Sequence, residues 1–117
     1  MGKIIYKGKN VYVNSNEQIK PTSLRNAQTA RYKIEGLHFF PTNREKIGSG
    51  LDKAQYRLAI EVTGKKGNAN ISIQGLDDIV NFLVDQDLIG KDFSSIKGRR
   101  VTVYNSKDTL LGISFDN

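Results

Sequence analysis

The chain has no cysteine and no tryptophan, and only one histidine, one methionine and two prolines in 117 residues. Without cysteine there is no disulfide framework, no thiolate metal site and no cysteine nucleophile, so core packing has to stabilise the fold. The single histidine, His38, has no carboxylates clustered near it in sequence, which removes the usual His-based metal site. Catalysis needs a nucleophile or a matched acid and base held together, and no spacing of carboxylates or lysines here offers one. Long apolar runs are missing too. No segment approaches the roughly 20 apolar residues of a membrane span. The opening MGKIIYKGK interrupts its short apolar stretch with lysines, unlike a signal peptide. The expectation is a non-enzymatic cytoplasmic protein with no cofactor, no metal and no membrane partner.

What is present is positive charge, unevenly spread. The net charge is +6 and the isoelectric point about 9.6. Residues 1–74 carry 13 Lys/Arg against five Asp/Glu, whereas residues 75–96 set Lys91 against Asp77, Asp78, Asp85, Asp87 and Asp92. A segregated basic surface favours polyanions, because each neutralised phosphate releases counterions. Hydrophobic residues make up 38% and charged residues 26%, a composition that folds as one unit.

Periodicity organises the chain as residues 1–30, a hairpin and polar arm, followed by a main domain over 31–117. Residues 3–6 and 11–13 flank Lys7-Gly8-Lys9-Asn10 and predict a short hairpin added to that domain. Residues 14–30 are polar and broken by Pro21, with at most one helical turn near Leu24 to Ala27. A first strand over about 31–40 switches face: Tyr32 and Ile34 share one parity and Leu37 and Phe39 the other, so an extra residue sits near Gly36. The segment PTNREKIGSGLDKA then makes a long connection. A second strand follows at 56–63, with Tyr56, Leu58, Ile60 and Val62 on one side, and a third at 69–74, with Ala69, Ile71 and Ile73 inward. Leu76, Ile79, Val80, Leu83 and Leu88 predict a helix over about 76–89 that Gly90 stops. A possible turn over 92–97 leads to strands at 98–104 and 109–115, joined by Asn105-Ser106-Lys107-Asp108.

Short motifs carry little. Gly64-Lys65-Lys66-Gly67 matches the GxxG phosphate clamp of KH domains, but that clamp joins two helices and this one joins two strands, which suits a hairpin turn with solvated lysines. Gly48-Ser49-Gly50 lacks the third glycine of a dinucleotide fingerprint, since position 53 is Lys53. The aspartates of the helix lack calcium-loop spacing. The set with the most content is the outward parity of the sheet: Arg31, Lys33, His38 and Phe40, then Arg57, then Arg100 and Tyr104. Arg44, Lys46, Lys53, Lys65 and Lys66 lie on flanking loops. Cations interleaved with rings suit a single strand, whose phosphates follow charge and whose bases stack for about 1–3 kcal/mol each. The competing account is an ordinary polar face, with Glu35 and Glu61 pairing with Lys33 and Arg57.

The β-β-β-α-β-β order, the irregularity at Gly36, AQYRLAIEV as second strand and IKGRRVTVY after the helix resemble the oligonucleotide-binding (OB) fold group, which includes the bacterial single-stranded-DNA-binding proteins. The resemblance covers residues 31–115. It implies an α+β, mainly β architecture: an antiparallel five-stranded OB-like barrel or curved sheet with one helix and an N-terminal hairpin extension. It also implies binding on the second and third strands, at Arg57, Asn70, Ser72 and Gln74, and on loops bearing Arg44, Lys46, Lys53 and Lys107. The resulting expectation is a small nucleic-acid-binding protein, single-stranded DNA or RNA favoured. The alternative is an accessory or inhibitor factor of a phage or mobile element, binding a host or virion protein through its hairpin and arm.

Overall fold

The computed structural model describes residues 2–15, 19–41, 45–46, 52–53 and 56–116, with the backbone alone for 40–41, 45–46 and 52–53. β1 (Lys3–Tyr6) and β2 (Lys9–Val13) form the expected hairpin. Its two turn residues, Lys7 and Gly8, have φ of 50° and 77°. Paired positive φ values twist the turn in the sense of the flanking strands. A short helix, α1 (Pro21–Arg25), precedes β3 (Gln28–Pro41), which starts three residues before the sequence pattern placed it. Two-residue strands β4 (Glu45–Lys46) and β5 (Asp52–Lys53) pair with each other apart from the main sheet. Then come β6 (Tyr56–Gly64), β7 (Gly67–Gln74), α2 (Leu76–Asp85), a 3-10 turn (Phe93–Ile96), β8 (Arg100–Ser106) and β9 (Thr109–Phe115).

The expected five strands become a seven-stranded antiparallel sheet in the order β1-β2-β9-β8-β3-β6-β7. Within it β8-β3-β6-β7 is a Greek key, the fourth strand lying beside the first after the long connection that holds α2. The hairpin is no appendage, because β2 pairs with β9 through Val11↔Ser114, Tyr12↔Ile113 and Val13↔Gly112. The sheet is not a closed barrel. Two residues bridge its distant strands instead: Asn14 N–H donates to Leu111 O and Ser15 N–H to Ser72 O, both at 2.8 Å, and Gln74 N–H donates to Ser15 Oγ at 3.0 Å. The predicted irregularity is present as a register shift between Ile34 and Gly36, which leaves Glu35 as the extra residue against β6.

Alternation along the strands gives the sheet two apolar faces. On one, Ile34, Leu58, Ile60, Val62, Ile71, Ile73, Val101, Val103 and Ile113 pack with Ile79 and Phe82 of α2, Leu88 and Ile96. On the other, Val11, Val13, Leu111 and Tyr104 pack under Leu24 of α1, flanked by Ile4, Tyr6, Ile19 and Ala27. Fully burying a side chain of this size stabilises by roughly 1.5–3 kcal/mol, so the smaller cluster anchors the N-terminal segment firmly. Gly112 permits the close approach of β2 to β9: a Cβ there would stand 2.7 Å from the Tyr12 carbonyl oxygen.

α2 is shorter than its apolar pattern suggested. It ends at Asp85, since Asp87 takes φ 56° and the N–H groups of Asp87 and Leu88 return to Val84 O and Leu83 O at 3.0 and 2.8 Å. That is a Schellman stop, and it folds Leu88 back into the core. The buried stripe is also rotated. Phe82 is fully buried, whereas Leu76 and Val80, expected inside, are 51% and 40% exposed. Asp77 and Asp78 occupy the first turn, where they complement the helix dipole. No described helix is long and apolar enough to cross a membrane.

Candidate nucleic-acid interface

β3 changes partners along its length. It pairs with β8 from Gln28 to Lys33 and with β6 from Lys33 to Pro41, so Lys33 stands opposite both Arg100 and Thr63. β8 begins at Arg100 and β6 ends at Gly64 in the turn carrying Lys65. Three strands and a turn therefore meet at one point. The result is a cleft of about 350 Å³ lined by Arg31, Tyr32, Lys33, Thr63, Gly64, Lys65 and Arg100. Tyr32 forms its apolar wall. The ring rests against Gly64 so closely that a Cβ there would lie 2.8 Å from it.

The electrostatics of the cleft are one-sided. Arg31, Lys33, Lys65 and Arg100 are exposed, and among the described residues none of them makes an ion pair or side-chain hydrogen bond. Among the described residues no carboxylate lines the space. The expected pairing of Glu35 with Lys33 and of Glu61 with Arg57 is replaced by other contacts. Glu35 lies 3.8 Å from Lys97, and Glu61 3.1 Å from His38 Nε2. Asp116 accepts a hydrogen bond from Thr102 Oγ1 at 2.9 Å. Like charges directly opposite in a sheet destabilise it, and Lys33 faces Arg100 in that way.

Other predicted residues lie elsewhere. Arg57 is half-buried on the outer side of β6, where it lines a smaller hollow of about 180 Å³ with Ala59, Asn70, Ile71 and Ser72. At strand rise it sits about 20 Å from Thr63, so it belongs to a separate location. Ser72, expected to face water, is buried beneath the Asn14–Ser15 bridge, and its hydroxyl has no hydrogen-bond partner among the described residues. Lys66 is exposed on the same turn as Lys65 but outside the cleft lining, and Lys107 is exposed on the β8–β9 turn. Phe40 stands opposite Arg57 in register, Lys46 and Lys53 belong to the β4–β5 pair, and Arg44 lies outside the described residues.

Tyr104 requires a correction. It has the outward parity predicted, yet it is buried at 7% exposure, with its hydroxyl 3.3 Å from Ser114 Oγ and its ring edge-on to Tyr6. The N-terminal hairpin and α1 cover that part of the outer face, so this ring has no surface for a base. Sequence parity missed two other aromatics. Tyr32 has inward parity but lies one residue past the end of the β3–β6 ladder, its ring against Gly64, and so it lines the cleft. Phe39 is 45% exposed and stacks on Tyr56, with centroids 5.6 Å apart and planes at 6°.

A second hollow, of about 360 Å³, lies between the hairpin turn and the end of α2. Tyr12, Asp85 and Gln86 on its wall are joined by hydrogen bonds. Tyr12 OH donates to Asp85 at 3.0 Å and accepts from Gln86 Nε2 at 3.1 Å; Lys3 pairs with Asp85 at 3.0 Å, and Arg99 donates to Gln86 Oε1 at 3.2 Å. Burial pushes the Tyr12 phenol up to about 12, reinforced by Asp85 and opposed by Gln86. This cluster is a structural joint held by its own contacts, whereas the cations of the cleft at Lys33 have no carboxylate partner among the described residues. Comparison with known proteins finds no matching family model, no matching curated protein and no matching solved structure.

Proposed function

We propose that this chain is a small non-enzymatic nucleic-acid-binding protein, with single strands favoured, that holds phosphates in the cleft around Lys33. The observation that carries this reading is the convergence of Arg31, Lys33, Lys65 and Arg100 on one space that no carboxylate of the described residues lines. Such an arrangement opposes folding through self-repulsion and gains from an anion. The OB-type reading draws support from the Greek key β8-β3-β6-β7, the register shift at Gly36 and the position of α2 between β7 and β8.

Fluorescence anisotropy with labelled single-stranded and duplex oligonucleotides at several salt concentrations tests the proposal. Phosphate neutralisation in the cleft predicts a log–log salt slope between about −0.7, for one phosphate, and about −3, for four, on a single strand. Replacing Lys33 and Arg100 together by Gln should weaken binding at low salt and make that slope shallower. Salt-independent binding, or unchanged binding by that double variant, would refute the mechanism.

The alternative, an accessory factor that binds a protein, is favoured by a different observation. Leu76, Val80 and Val84 form an exposed apolar row at 51%, 40% and 59% exposure on the acidic helix. The hairpin itself is engaged within the chain, on β9.

A further inference from the structure

Cations that track a strand are strung along its path, and those of the described outer face are not. Arg31, Lys33, Lys65 and Arg100 crowd one cleft, while the next cation along β6, Arg57, lies about 20 Å away beyond Glu61 and Ala59. Glu61 is itself engaged with His38. An internal phosphodiester brings a single negative charge, which four cations at one point exceed. A terminal phosphate monoester carries about −1.5 to −2 at neutral pH and offers three strong acceptor oxygens.

The surroundings fit the same group. Tyr32 and Gly64 supply an apolar wall, which lowers the local dielectric and strengthens each charge-assisted hydrogen bond. The volume of about 350 Å³ is within the usual range for a small-molecule site, large enough for one nucleotide and too small for a folded partner. The two arginines can each present a planar fork to paired phosphate oxygens, and the two lysines add point charges between them. The four residues come from β3, β8 and the β6–β7 turn, so the sheet holds the cluster together before any ligand arrives.

We infer that the cleft recognises the terminal phosphate monoester of a single strand, so that the protein prefers phosphorylated strand ends over strand interiors. This rests on the nucleic-acid reading above and narrows it. The test uses one oligonucleotide sequence carrying a 5′-phosphate, a 3′-phosphate, a 5′-methylphosphate diester or hydroxyl ends, labelled internally and followed by anisotropy with the full chain. A phosphorylated end should bind about tenfold tighter than hydroxyl ends, and the methylphosphate, which keeps the phosphorus but loses a charge, should bind like hydroxyl ends. The Lys33→Gln, Arg100→Gln double variant should bring the preference within about twofold, while Arg25→Gln, on exposed α1 surface, retains it. Equal affinity for all four oligonucleotides would overturn end recognition and leave nucleic-acid binding standing. Binding of none at low salt would overturn both. Free nucleoside monophosphate displacing the phosphorylated oligonucleotide at equal concentration would also overturn it, because the site would then read a soluble nucleotide and not a strand.

Discussion

Two stretches of the outer face of β3 and β8 have opposite fates. Around Tyr104 the face is covered by the β1–β2 hairpin and α1 and becomes a second apolar core, whereas around Lys33 and Arg100 it is bare and positive. Both belong to the same pair of strands, in continuous register from Gln28↔Asn105 to Lys33↔Arg100. Parity alone therefore does not determine exposure. What decides it is where the β1–β2 hairpin and α1 lie: they cover one end of the strand pair and leave the other open. An open end that no carboxylate of the described residues lines is where an anion has most to gain.

Breaking the covered stretch should have the largest effect. Leu24→Ala removes the α1 side chain that seals Tyr104 and should lower stability by about 2–5 kcal/mol, measured by urea denaturation, with Tyr104 gaining exposure in the native state. Gly112→Ala should cost about 1–3 kcal/mol by forcing β2 away from β9, since the added Cβ meets backbone at 2.7 Å. Hydrogen exchange should then show β1 and β2 opening before β3. Wild-type stability in either variant would mean the hairpin is not an integral part of the sheet.

The hairpin's other attachment has an alkaline signature. Tyr12 titrates at about 12 in the folded chain against 10.0 for an unperturbed phenol. As pH rises between those values the unfolded chain releases a proton that the folded chain keeps, so stability must fall, by at most about 1.4 kcal/mol per pH unit. Tyr12→Phe should flatten that limb, and an unchanged alkaline slope would assign the loss to other groups.

The smallest expected change has the opposite sign. Replacing Lys33 and Arg100 by Gln relieves a like-charge pair and should raise stability by about 0.2–1 kcal/mol at low salt while weakening nucleic-acid binding. Added salt should erase that stability gain. A destabilised variant would show that these side chains hold the sheet together and would separate the cleft from function.

Much of the sheet was legible locally. Strict alternation located β6, the break in parity at Gly36 located the register shift, the glycines at 64, 67 and 98 placed β7 and β8, and Asn105-Ser106-Lys107-Asp108 placed β9. The union of the hairpin with β9 was hidden because strand partners separated by about a hundred residues leave no local periodicity. The same long-range pairing buried Tyr104 and Ser72, which their own strands marked as outward. Within the candidate site, Arg31, Lys33, Lys65 and Arg100 were all recoverable as outward or loop cations. Their convergence was not, since it depends on β3 exchanging one neighbour for another at Lys33. Tyr32 joined them for the same reason: an inward residue becomes a wall where the ladder with β6 stops.

The most direct test is to map the amide resonances of the isotope-labelled protein during titration with a short single-stranded oligonucleotide. The largest shifts should fall on Arg31, Tyr32, Lys33, Gly64, Lys65 and Arg100, with Leu24, Leu111 and Tyr104 unmoved. Shifts centred on α2 or on the Lys107 turn, or none at low salt, would contradict the assignment of the uncovered stretch as the binding site.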